Sequence, residues 1–177
     1  MSKISGFSLL KRDLQRYYES ARCKNILQFL GIFLQAPAIW AIIAYRIGAT
    51  IRIDIIKTIY IFLVWNPIKI ITGIEIYPQT KIGERFYIRH FGGIFINPRA
   101  IIGKNCTIFN GVTIGTKIGR KEAPVIGDNV IIATGAKVIG KINIGSNVTI
   151  GAGSVVTKDI EPGVTVAGNP ATVIKKS

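Results

Sequence analysis

A single histidine, His90, stands in this 177-residue chain. Imidazole titrates near neutrality, which suits a general base that takes a proton from a hydroxyl. A lone histidine also serves often as a plain structural group. Its neighbours favour the first role: Gly92-Gly93 follow closely, and glycine lets a loop bring its backbone near a ligand. The same count excludes other chemistry. One imidazole cannot build a three-histidine zinc site, and the two cysteines, Cys23 and Cys106, make neither a Cys/His cluster nor a disulfide framework. No metal is expected.

The element that must position His90 is a repeat. Ile or Val recurs every six residues at 76, 82 and 88, then, after a slip of two, at 96, 102, 108 and 114. Beyond a polar interruption it resumes at 126, 132, 138, 144, 150 and 156. A small or β-branched side chain comes four residues later: Thr80, Ala100, Cys106, Val112, Val130, Ala136, Val148 and Ser154. Six residues make one short strand and a turn, and three such units make one triangular coil. The aliphatic residue points into the prism, and Gly, Asn or Asp supplies the positive φ of a sharp corner. The spacing predicts a parallel β-helix of four to five coils, stacked at about 4.8 Å. His90 falls two residues after the inward Ile88, where the register slips and the prism wall can open. Cys106 takes an inward slot, as a buried free thiol of a reducing cytosol. In Thr116–Pro124 the count would place Arg120 inside; burying an unpaired guanidinium is costly, so this segment is expected to leave the wall.

The first seventy residues differ in kind. Residues 6–23 read as an amphipathic helix with Leu9, Leu10, Leu14, Tyr17 and Tyr18 on one face and Lys11, Arg12, Asp13, Gln15 and Arg16 filling the rest. Ile26 to Tyr45 carries no charge, and a second apolar run spans Ile55 to Trp65. Two readings stay open: helices at a membrane interface, with Trp40, Tyr45, Tyr60 and Trp65 as anchors, or a soluble helical cap on the end of the prism. Asn66-Pro67 is expected to end the helices. The division is thus 1–70, helical, basic, apolar and membrane-associated, and 71–177, the β-helix with its tail. The net charge of +14 is spread evenly, +7 on residues 1–70 and +7 on 71–177. That distribution argues against a nucleic-acid arm and fits an anionic membrane face or a phosphorylated cofactor. No signal-peptide pattern precedes the first apolar run, and the expected location is the cytoplasm, at the inner face of the membrane.

Ile88-Arg89-His90-Phe91-Gly92-Gly93-Ile94 resembles the segment around the catalytic histidine of serine acetyltransferase. Ile150-Gly151-Ala152-Gly153-Ser154-Val155-Val156-Thr157-Lys158-Asp159-Ile160 and Ala167-Gly168-Asn169-Pro170-Ala171 resemble the galactoside and maltose acetyltransferases. Residues 74–174 thus look like an acetyl-CoA-dependent hexapeptide transferase. The resemblance implies a left-handed β-helix, a homotrimer, a cleft between subunits and acetyl-CoA as co-substrate. It implies His90 as the base, with Glu75, in place of an aspartate, orienting it. Thr134 and Ala152 would lie along the pantetheine arm, with Thr157 beside them and Lys158 and Lys175 at the nucleotide phosphates.

The departures bear on the acceptor. Arg89 replaces the acid that precedes the histidine in the serine enzyme, and Ala123 replaces its second histidine. The serine enzyme's large N-terminal helical domain has no counterpart of that size in these residues, where about seventy apolar, basic residues stand instead. The pattern that remains resembles capsule, exopolysaccharide and O-antigen O-acetyltransferases. The leading expectation is therefore acetyl transfer to a sugar hydroxyl of a polysaccharide or its lipid-linked precursor, with Arg89 facing the substrate. The alternatives are a serine O-acetyltransferase of cysteine biosynthesis and a non-catalytic β-helical scaffold.

Overall fold

The computed structural model describes residues 6–176. Among these described residues, five helices precede a parallel β-helix of about five coils. The helices are α1 (Gly6–Ser20), α2 (Ile26–Gln35), α3 (Pro37–Thr50), α4 (Asp54–Tyr60) and α5 (Asn66–Thr72). A π-helical turn, Ile61–Trp65, joins α4 to α5.

Three parallel sheets form the prism. Sheet A holds β1 (Ile74–Ile76), β4 (Ile94–Ile96), β7 (Thr113–Gly115), β10 (Lys137–Ile139) and β13 (Val155–Val156). Sheet B holds β2 (Lys81–Ile82), β5 (Ile101–Ile102), β8 (Val125–Ile126) and β11 (Asn143–Ile144). Sheet C holds β3 (Tyr87–Arg89), β6 (Thr107–Phe109), β9 (Ile131–Ile132), β12 (Thr149–Ile150) and β14 (Val164–Gly168), with β15 (Ala171–Lys176) returning antiparallel at the end. All thirteen aliphatic slots are buried, and so are the eight residues four places on. Each fully buried Ile contributes about 1.5–3 kcal/mol, so this column dominates the fold's stability.

Register locates the irregularities. One coil is 18 residues from Phe95 to Thr113 and from Lys137 to Val155. From Ile74 to Ile94 it is 20, the two extra residues lying in the His90–Gly93 corner. From Thr113 to Lys137 it is 24, and the excess is the 116–124 excursion, where Arg120 is exposed as charge burial requires.

Glycine and asparagine supply the positive φ of the corners, at Asn105, Asn129 and Asn147 and at Gly111, Gly135 and Gly153. The glycines after the aliphatic are needed because the next coil passes directly above. A Cβ on Gly83, Gly103, Gly127 or Gly145 would lie within 2.4–2.7 Å of the next coil's backbone.

The helices close the open end of the prism, whose first coil has no coil beneath it to satisfy its backbone groups. Side chains do so instead. Tyr17 Oη donates to Ile88 O (3.0 Å) and accepts from Ile88 N (2.9 Å), as a neighbouring strand would. Arg46 donates to Ile82 O and Gly83 O, while Asp13 accepts from Phe86 N. Tyr45 donates to Thr80 O and Trp65 to Ile76 O. Asp13, expected on the solvent side of α1, is therefore fully buried.

Three expectations for this region change. The uncharged run 26–45 is two helices bent by 90° at Ala36-Pro37, and α3 is largely buried against the first coil. The four expected membrane anchors bind protein carbonyls: besides Tyr45 and Trp65, Trp40 donates to Phe33 O and Tyr60 to Ala44 O. Asn66-Pro67 does not end the helix, because the wider π turn just before Pro67 absorbs its missing N–H and ring clash. The helix stops at Gly73, in the left-handed conformation. Asp54–Thr72 is long and apolar enough to cross a membrane by length and composition, and it remains exposed along Ile55, Ile59, Phe62, Leu63, Ile70 and Ile71.

Candidate active site

His90 sits just past β3, at the edge where sheet C turns into sheet A. Its φ of +65° is a left-handed conformation uncommon outside glycine and asparagine, and it turns the chain into the Phe91–Gly93 corner. The imidazole is exposed, with its ring centroid 6.2 Å from that of Phe109. Arg89 is also exposed, its guanidinium 5.8 Å from the same ring. A pocket of about 260 Å³ opens beside His90, walled by Tyr17, Gln35, Pro37, Tyr87 and Phe91. The bend between α2 and α3 thus forms one side of the candidate acceptor site.

Strand register carries the edge upward. Arg89 pairs with Phe109, Ile108 with Ile132, and Ile132 with Ile150, so His90, Asn110, Thr134 and Ala152 stack in one column. At about 4.8 Å per coil, Ala152 stands roughly 14 Å from His90 along the edge. Thr134 Oγ1 donates to Asn110 Oδ1 at 3.1 Å. The corner beside the column is glycine, Gly93, Gly111, Gly135 and Gly153, and the Gly92 and Gly153 positions face open space. A long thin ligand can lie along such an edge with backbone N–H groups within reach.

Not every predicted residue joins this column. Thr157 and Lys158 follow β13, on the edge between sheets A and B, because six residues after Ala152 the chain has reached the next corner. Lys175 pairs with Thr165 on the terminal hairpin. Glu75 lies in the same first coil, two residues after Gly73, which packs against Gly92 and Gly93. Its carboxylate accepts from Tyr77 Oη, and among the described residues no hydrogen bond or ion pair joins it to His90. Sequence reasoning missed Asn110. The signal was present, since Asn110 precedes a corner glycine one coil above His90. No group of three or more metal-ligating side chains exists among the described residues.

Comparison with known proteins places this geometry in a family. The profile described as Bacterial transferase hexapeptide (six repeats) matches residues 123–158. Serine acetyltransferase of Bacillus subtilis (strain 168) is 37% identical over 173 residues, covering 95% of this chain and 77% of the relative. Serine acetyltransferase of Mycobacterium tuberculosis is 44% identical over 111 residues, and there the chain spans about half of the relative's length (48%), with 62% of this chain matched. The crystal structure of Neisseria gonorrhoeae serine acetyltransferase in complex with serine superposes with a TM-score of 0.84 at 32% identity, over 96% of this chain and 69% of that one. These findings overturn the expected polysaccharide acceptor: the matching proteins are serine acetyltransferases, through the helical region as well as the β-helix, which is the reading held above as an alternative. A match that runs the length of the chain outweighs the departures at Arg89 and Ala123. The chain belongs to the serine acetyltransferase family of hexapeptide-repeat acyltransferases, enzymes with acetyl-CoA as co-substrate.

Proposed function

We propose that this protein transfers the acetyl group of acetyl-CoA to the hydroxyl of L-serine. The column His90–Asn110–Thr134–Ala152 carries the reading: it puts an exposed imidazole at one end of an edge that can seat a pantetheine arm. His90 takes the hydroxyl proton as the serine oxygen attacks the thioester carbonyl. The tetrahedral oxyanion is held by backbone N–H groups of the glycine corner. Its collapse breaks the C–S bond and expels the CoA thiolate, which takes the proton back from the imidazolium. The products are O-acetylserine and CoA. Arg89, exposed beside the base, supplies a cation for the serine α-carboxylate, and Glu75, in the same coil, is the carboxylate assigned to orienting His90.

Thr157 and Lys158 lie one edge away from the column, separated by the width of sheet A. A coenzyme lying on the His90 edge meets them on a neighbouring protomer, so the site is completed in a homotrimer. The protein works in the cytoplasm, where acetyl-CoA is found, at the membrane face: the support is the exposed apolar side of Asp54–Thr72 with Arg52, Lys57 and Lys69 beside it.

Free thiol released from acetyl-CoA, measured with and without L-serine, tests the acceptor. Serine-dependent release above background hydrolysis is expected. Release that serine does not raise overturns the reading.

A further inference from the structure

β3 is the end strand of sheet C, and it carries the chain directly into His90. Successive residues of a strand turn their N–H and C=O groups to opposite sides. Tyr87 N donates to Cys106 O at 3.0 Å, towards the coil above, so Ile88 N and Ile88 O point to the side where no coil stands. One phenol serves both: Tyr17 Oη accepts from Ile88 N at 2.9 Å and donates to Ile88 O at 3.0 Å. Tyr17 is buried, and its ring centroid lies 4.5 Å from that of Tyr87, over which the Arg16 guanidinium also sits at 5.5 Å. Burial raises the phenol's pKa, so its O–H stays protonated and keeps donating.

Among the described residues no hydrogen bond or ion pair reaches the imidazole of His90, and its ring contact is Phe109 at 6.2 Å. Its aim is therefore set by the backbone that carries it. That backbone leaves β3 at once for a φ of +65°, a conformation that costs a non-glycine residue energy and persists only where its surroundings hold it. The far side of the corner is held from above, where Gly111 N donates to Gly92 O at 2.9 Å. The near side is held from below by Tyr17. We propose that Tyr17 is a positioning residue for His90: by clamping Ile88 it sets the direction in which the imidazole meets the acceptor hydroxyl. This rests on His90 as the base of the acetyl transfer. Tyr45 supplies the contrast, since its Oη donates to Thr80 O at 2.8 Å and fastens the same coil at the corner between sheets A and B.

The test compares Tyr17→Phe with Tyr45→Phe in the full-length protein, each variant keeping its buried ring and losing only the hydroxyl. Both should lower the melting temperature. Tyr17→Phe alone should lower kcat for serine-dependent thiol release about ten- to a hundredfold, the scale of a misplaced reacting group, with KM for serine and acetyl-CoA within about twofold. Because His90 is the only histidine, isotope labelling of histidine rings gives one imidazole NMR signal, which reads the geometry without any substrate. That signal should shift or split in Tyr17→Phe and stay in place in Tyr45→Phe. An unmoved signal or an unchanged kcat in Tyr17→Phe overturns the proposal, as does an equal loss of kcat in Tyr45→Phe. A raised KM for serine at unchanged kcat overturns it too, and makes Tyr17 a wall of the acceptor pocket. A wild type without serine-dependent release overturns the proposed reaction, and the imidazole signal then decides the clamp by itself.

Discussion

Arg46 and Asp13 form a buried ion pair between α3 and α1, Nε to Oδ2 at 2.7 Å, with side-chain exposures of 3% and 0%. Each also binds the first coil's backbone, so the pair fastens both helices to the prism. Removing one partner leaves a buried charge unmatched, which costs about 3–5 kcal/mol. Asp13→Ala and Arg46→Ala should each lose that much in chemical denaturation. Asp13→Leu/Arg46→Met should lose less than the two single costs combined. A single-variant cost under about 1 kcal/mol would show that the helices dock by other means.

Gly103 and Gly31 should answer the same substitution with opposite signs. A Cβ at Gly103 would stand 2.5 Å from Gly127 O and 2.3 Å from Asp128 Oδ1, against the next coil. Gly103→Ala should therefore destabilise by about 1–3 kcal/mol, the usual cost of overpacking. Gly31, in α2, has nothing within 4 Å, so Gly31→Ala should be neutral or gain up to about 1 kcal/mol from helix propensity. Urea midpoints of the two variants measure both.

The contrast shows how the repeat was readable. Its period of six fixed the inward slots without ambiguity, because a slip of one residue would turn Ile102 or Ile126 out to water. The reason for glycine after them was not readable, since it lies in the next coil's backbone. Asp13 was misplaced for a similar cause: helix periodicity gives a face, and the buried partner, Arg46, stands 33 residues away. The site was half legible. His90 announced itself as the lone imidazole at the register slip, whereas Thr157 and Ala152 look adjacent in sequence and turn out to occupy different edges of the prism.

Cys106 gives a pH signature. Burial pushes its thiol up to about 11 from an ordinary 9.0. Between those values the unfolded chain gives up the proton and the native chain keeps it, so the native state binds more protons and stability falls as pH rises. Below pH 9 this contribution is fully present. Denaturation midpoints of wild type should decline between pH 9 and 11 more steeply than those of Cys106→Ala. Equal slopes would mean that the thiol is not held in the inward slot.

The exposed side of Asp54–Thr72 makes a membrane prediction. Phe62 is 73% exposed and Leu63 63%, on a helix that carries Lys57 and Lys69. Sedimentation with phosphatidylserine-containing vesicles should pull down the wild type, and Phe62→Ser/Leu63→Ser should weaken this about tenfold. Burying two large apolar side chains is worth enough to produce such a shift. Moderate salt should weaken binding only in part, because cations and apolar groups share it. A wild type that stays in the supernatant at low salt would assign this face to contacts between protein chains.

His90→Ala separates catalysis from binding at the same edge. The imidazole is asked only to take and return one proton, so its loss should lower serine-dependent thiol release about 10²- to 10⁴-fold. The coenzyme contacts proposed for Thr134 and Ala152 lie two and three coils away, and CoA affinity should therefore stay within about twofold in calorimetry. His90→Gln, which keeps a hydrogen-bonding side chain but cannot act as a base near pH 7, should be as slow as the alanine variant. If His90→Gln retained activity, the imidazole would be positioning the acceptor, and proton removal would have to come from elsewhere on the edge.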